Sequence, residues 1–167
     1  LQEPVEVEIA KRPRPANDSV QRALEQVGDA WTFMILRELF FGVRRFADFE
    51  TNTGVSPAIL TDRLRKLVRF KLATRAKYSE RPARYEYRLT EKGRDLYPLT
   101  VGLMLWGDRW LSGRAGPPLE LLHRSCGAHA HPRFVCDVCD EPIEARTMDW
   151  RPGPGSGLAS KSRGTPP

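Results

Sequence analysis

Between residues 17 and 111 the apolar positions recur mostly at helical spacing. Val20, Leu24 and Val27 share one face of a first helix, which Asn17 or Asp18 can cap and Gly28 ends. Asp29 opens a second helix through Trp31, Ile35 and Leu39, closing at Gly42. Phe33, Leu36 and Phe40 add a second apolar stripe, so this helix is expected to be buried on most sides. Residues 45–51 read as a short third helix with Phe46 and Phe49 inward, and 52–55, with Gly54, as a turn. Ser56 is a good N-cap, and Pro57 suits the first helical position, where its missing N–H has no partner to lose. Leu60, Leu64, Leu67 and Val68 mark the buried face of the fourth helix that follows. The period then changes to two. Residues 72–78 and 84–89, where Tyr85, Tyr87 and Leu89 alternate with Glu86 and Arg88, predict a hairpin with its tip at 79–83. Thr90 caps a last long helix to about Leu111, expected to kink at Pro98.

A short helix, a glycine-containing turn, a capped helix and a basic hairpin in immediate succession predict a winged helix-turn-helix. The fold class is mainly α with a small β-hairpin wing (α+β), plus a small C-terminal zinc-ribbon-like module. Residues 1–16, rich in Pro and charge, read as a flexible arm. Residues 17–112 form the winged-helix body, 113–120 a linker, 121–150 a Cys/His segment, and 151–167 a Gly/Pro/Ser-rich disordered tail.

Charge sharpens this picture. The 167 residues carry 27 Lys+Arg against 21 Asp+Glu, a net charge of +6. Residues 44–94 hold 14 Lys/Arg and 6 Asp/Glu, a net of +8, so the rest of the chain sums to −2. A basic block within a folded region suits a polyanion such as double-stranded DNA, because each neutralised phosphate releases counterions. The N-terminal end of the fourth helix offers Ser56, Ala58, Thr61, Asp62 and Arg65 to a groove. Arg65 can reach guanine edges, and Thr61 and Ala58 a thymine methyl, while Asp62 argues mildly against close phosphate approach. Arg44, Arg45, Lys66, Arg69 and Arg84 suit phosphates, and Arg81 at the hairpin tip suits the minor groove. No phosphate-cradling glycine loop, nucleophile elbow or paired His on one helix face points to an enzyme. The longest apolar stretch, 31–42, is broken by Arg37 and Glu38, short of the roughly 18 residues of a membrane span. Three cysteines are too few for a disulfide scaffold, and no basic-then-apolar leader is visible, so a cytoplasmic location is expected.

Ser19, Val20, Leu24, Gly28 to Thr32, Ile35 to Leu39, Gly42, Arg45, Phe46, Phe49, Ser56, Pro57, Leu60, Thr61, Arg63, Leu64, Leu67, Tyr85 to Tyr87, Leu89, Thr90, Gly93, Trp106 and Gly107 carry a family likeness. This pattern resembles the HxlR-type winged-helix transcription regulators of bacteria. The resemblance implies a homodimeric, sequence-specific regulator of promoter DNA, repressor or activator, with the first and last helices at the dimer interface. Val20 and Leu24 would then lie in that interface. Many members also carry a Cys two residues before the position of Val20, and some sense oxidants with it. Here Asp18 stands there, and no Cys precedes Cys126, so a redox switch in the DNA-binding body lacks its thiolate.

The last helix supports a dimer independently. Leu96, Leu99, Leu103, Trp106 and Trp110 recur every three or four residues, a two-in-seven seam for helix–helix packing. A small-molecule effector could occupy a cleft near Trp31, Phe33 or Trp106.

His123 and Cys126, and Cys136 and Cys139, form two pairs each separated by two residues. Two such knuckles can supply four ligands to a structural zinc, which suits sulfur and imidazole, and His129 and His131 are rival fourth ligands. A redox role for Cys136 and Cys139 is the competing reading. A protein-interaction adaptor built from a winged helix and a zinc ribbon is the alternative to the DNA-binding regulator.

Overall fold

The computed structural model describes residues 18–130, 132–149 and 153–156. The expected arm, 1–16, and most of the expected tail lie outside the described residues, as does His131. Helix α1, Ser19–Val27, starts at Asp18, whose carboxylate accepts from the N–H groups of Val20 (2.8 Å) and Gln21 (3.0 Å). Asp29 caps α2, Ala30–Phe40, accepting from the N–H and the hydroxyl of Thr32 at 3.0 and 2.6 Å. Helix α2 is the central element, as its double stripe requires. Ile35 and Leu36 are fully buried, and the helix packs on both helices that follow and on the second hairpin strand.

Helix α3, Phe46–Thr53, runs two residues further than the spacing suggested. Gly54 ends it in the left-handed region (φ 66°), donating its N–H to the Glu50 carbonyl. This turn delivers the chain into α4, Pro57–Arg69, where the Ser56 hydroxyl accepts from the Ile59 N–H at 3.5 Å. Leu60, Leu64 and Leu67 are fully buried, and Val68 is half-buried. Each of those leucines contributes about 1.5–3 kcal/mol to stability, so the underside of α4 is firmly held.

Strands β1, Ala73–Ser79, and β2, Arg84–Leu89, pair antiparallel from Ala73 with Leu89 out to Ser79 with Arg84, with an irregularity between Lys77 and Ser79. A third short pairing escaped the alternation pattern. The Tyr87 N–H donates to the Arg44 carbonyl at 2.8 Å, and Arg45 bridges Glu86. Phe49 meets the Tyr87 ring edge-on at 6.4 Å, so the wing is tied to α3 by backbone and core together.

The long helix expected from Thr90 is two helices. Thr90 caps the four-residue α5, Glu91–Arg94, and α6 spans Tyr97–Leu111. Pro98 therefore opens α6 instead of kinking a continuous helix. A residue with no N–H to donate costs nothing in the first turn and breaks an interior. Leu96, expected in the seam, sits at the N-cap of α6 and packs against the core. Among the described residues the buried hydrophobic side chains all lie between Val27 and Val101, so beyond α6 they form no apolar core. Among the described residues no helix is long and apolar enough to cross a membrane.

Candidate nucleic-acid interface

With its leucines inward, α4 turns a stripe outward: Ala58, then Thr61 and Asp62, then Arg65 and Arg69 at successive turns. Ala58, Asp62, Arg65 and Arg69 are exposed and Thr61 is half-buried. Ser56 is exposed beside the helix N-terminus, its hydroxyl engaged in the cap. A groove separates this stripe from the wing, lined by Phe46, Thr61, Arg65, Arg69, Arg75 and Tyr87. Arg75 was not anticipated. Its guanidinium lies 3.5 Å from the centre of the Tyr85 ring, which holds a cation over the groove by its attraction to the aromatic face. The period-two pattern of β1 could have revealed it, because Ala73, Arg75 and Lys77 share a face.

Adjoining it, and sharing Phe46, Arg75 and Tyr87 with it, a second concavity is lined by Arg45, Asp48, Arg84 and Tyr85, among others. Arg44 and Arg45 are exposed at the stub that pairs with β2, and the Arg45 guanidinium stands 5.0 Å from the Tyr78 ring. Arg84 is exposed at the start of β2, and Arg81 is exposed at the wing tip. Arg69 rests 4.8 Å from the Phe70 ring. Asp62 pairs with the neighbouring Arg63 guanidinium, so its charge is partly answered within the protein.

Lys66 departs from the expected phosphate contact. Its ammonium is 3.1 Å from Asp29 Oδ2, and its side chain is only 19% exposed. The physical reason is its position on the flank of α4, one turn from Arg63, where both reach the capping carboxylate of α2. Arg63 Nε donates to Asp29 Oδ1 at 2.8 Å. Burial pushes the Asp29 carboxyl up. The Thr32 hydroxyl and N–H, with Lys66 and Arg63, outweigh that and hold its pKa at about 2. Sequence reasoning missed this cluster; the i, i+3 pair of cations on α4 was its only trace. A second polar lock joins α2 to α3. Buried Glu38 accepts from Arg37 and, at 2.8 Å, from the Asn52 amide.

The expected interface side chains face solvent. Val20 and Leu24 on α1, and Leu99, Leu103, Trp106 and Trp110 on α6, are each between 50% and 67% exposed. Trp31 and Phe33 pack half-buried against the core, whereas Trp106 stands on the open face of α6.

The four expected metal ligands are not gathered. Among the described residues no three His, Cys, Asp or Glu side chains cluster to hold a metal ion. Each pair is instead closed on itself. His123 Nδ1 is 3.4 Å from Cys126 Sγ. The N–H groups of Val138 and Cys139, and the Cys139 thiol, point at the Cys136 sulfur and lower its pKa. All three cysteines are free thiols. His129 faces Glu120 at 3.6 Å, and His131 lies outside the described residues.

Comparison with known proteins places this geometry in company. A family model described as HxlR-like helix-turn-helix matches residues 26–115. An uncharacterized HTH-type transcriptional regulator of Mycobacterium tuberculosis, MT3179, is 53% identical over 138 residues, covering 83% of this chain and 87% of that protein. The crystal structure of PA1607, a candidate transcription factor, superposes with a TM-score of 0.73 at 32% identity, over 81% of this chain and 95% of that one. PA1374 of Pseudomonas aeruginosa, also described as a candidate transcription factor, gives 0.60 at 31% identity, over 84% and 93%.

Proposed function

Since the chain belongs to the HxlR-like helix-turn-helix family and is a transcriptional regulator of the HTH type, not an enzyme, we propose that it binds promoter DNA sequence-specifically as a homodimer. The observation that carries this reading is the outward stripe of α4, with Arg65 and Arg69 facing a groove whose other wall is the arginine-bearing wing. A helix held from beneath by three buried leucines can enter the major groove as a rigid body. Arg65, near its middle, reads base edges; Arg44, Arg45, Arg69, Arg75 and Arg84 flank it at positions suited to phosphates. Arg81 reaches the adjacent minor groove from the wing tip.

The exposed apolar side chains of α1 and of α6 support the dimer. Six large apolar side chains on these two helices are at least half exposed, as expected of surfaces that a partner covers. A two-fold dimer sets two α4 helices roughly 34–36 Å apart, one turn of duplex. Such occupancy of a promoter obstructs polymerase, which makes repression in the cytoplasm the simplest outcome.

The test is fluorescence anisotropy of the full chain against labelled duplex from upstream of its own locus, with a scrambled duplex as control, across a salt series. Preference for the upstream duplex and a steep loss of affinity with salt are expected. Equal, salt-insensitive binding to both would overturn the reading.

A further inference from the structure

Among the described residues, the segment beyond α6 contributes nothing to the hydrophobic core, yet its backbone repeats a pattern. His123–Cys126 and Cys136–Cys139 sit in two loops that are copies of one another. In each, the residue four places after the first of the pair is left-handed: Gly127 at φ 70° and Asp140 at φ 58°. That residue's N–H donates to the carbonyl of the first, at 2.7 Å to His123 and 2.9 Å to Cys136. The first residue's own N–H donates to the carbonyl five places on, Ala128 at 2.8 Å and Glu141 at 2.9 Å. The N–H seven places on donates back to the carbonyl two places before: Ala130 to Leu121 at 2.7 Å, and Ile143 to Phe134 at 2.9 Å. A strand bridge follows the same offset in both, Leu122 with His129 and Val135 with Pro142.

This repeat assigns equivalent places. His123 corresponds to Cys136 and Cys126 to Cys139, each at the mouth of its turn. His129 corresponds to Pro142, on the returning arm, and its ring is turned to Glu120. Two turns of one shape, each presenting two donors with a two-residue spacing, have the ligand types from which a tetrahedral N/S site is built. Little apolar packing holds them: Phe134, Val138, Leu122 and Ile143 are all exposed, so a module of this size needs a staple. One part is already anchored, since Phe134 packs on Gly102 of α6, where an added Cβ would lie 3.4 Å from the ring.

We propose that His123, Cys126, Cys136 and Cys139 of one chain close around a single structural zinc ion, drawing the two knuckles together. Three thiolates and one imidazole suit a borderline-soft ion, and binding would release the thiol protons to solvent. This zinc site would form whether or not the chain binds DNA.

The test uses the full chain, purified without added metal and assayed by mass spectrometry, then stripped and titrated with Co²⁺. About one zinc per chain is expected, and Co²⁺ should produce thiolate charge-transfer absorption with the intense visible bands of tetrahedral coordination. C126S and C139S should each lose that spectrum, H123A should weaken it, and H129A should leave it unchanged. Far-ultraviolet circular dichroism of each variant reports that the helical body remains folded. Absence of charge transfer with bound Co²⁺, loss in H129A equal to that in H123A, or one metal shared by two chains would each overturn the proposal.

Discussion

Arg63 Nε lies 2.8 Å from Asp29 Oδ1, although the two residues stand 34 positions apart. The residue that caps α2 is thereby clamped by the helix proposed to read DNA, and Lys66 closes the clamp from the next turn. The angle of α4 against the central helix is thus set by charge as well as by leucines.

Replacing Asp29 by Ala is expected to lower stability at pH 7 by about 1–2 kcal/mol, through loss of the cap and of the ion pairs. The carboxyl's pKa is depressed from 3.8 to about 2, so its contribution is complete above about 3.8 and is lost as pH falls from there toward about 2. The side chain is 29% exposed, and solvent screening reduces the gain. Urea midpoints measured from pH 2 to 7 should fall more shallowly over the acid range in Asp29→Asn than in the parent chain. Parallel curves would remove the clamp from the account.

Arg65→Ala is expected to relax base preference and cost about 1–3 kcal/mol on the preferred duplex. Arg84→Ala should weaken all duplexes alike and reduce the salt slope by about 1. Lys66→Ala, tied to Asp29, should lower thermal stability while leaving the salt slope nearly unchanged. Anisotropy titrations on specific and scrambled duplexes separate the three; a uniform loss in Arg65→Ala would deprive it of its reading role.

Leu103→Glu with Trp106→Glu should give a folded monomer, because both side chains are on the open face of α6 and outside the core. Sedimentation equilibrium would show the change in mass, and affinity for a two-half-site duplex should fall steeply. A parent chain that sediments as a monomer at binding concentrations would refute the dimer outright.

Gly93→Ala tests the joint between wing and α5. A Cβ at Gly93 would fall 2.0 Å from the Leu72 carbonyl oxygen and 3.0 Å from Leu89 Cδ2, and backbone cannot step aside as a flexible side chain can. The expected loss is about 1–3 kcal/mol, read from the denaturant midpoint. An unchanged midpoint would mean that this close approach is not maintained in solution.

Much of the fold was legible because its signals are local. The caps at Asp18, Asp29, Ser56 and Thr90 act within three residues, and the left-handed turn at Gly54 needs only its own glycine. The buried leucines of α4 and the alternation of β2 are periodicities within single elements. The exposure of Arg65 followed from the same geometry, since whatever opposes a buried stripe faces water.

Other features depend on residues far apart in the chain. By itself the sequence determined which segments become helix, turn or wing, which helical faces are apolar, and that positive charge concentrates around them, for these are properties of neighbours. Tertiary packing alone decided that Lys66 turns to Asp29 and not outward, that the Arg44 carbonyl pairs with Tyr87, and that Leu96 packs into the core while Leu99, Leu103, Trp106 and Trp110 of α6 face outward. The reason is that a side chain with two possible partners, water or a distant opposite charge, is assigned only when the backbone has brought that partner within reach.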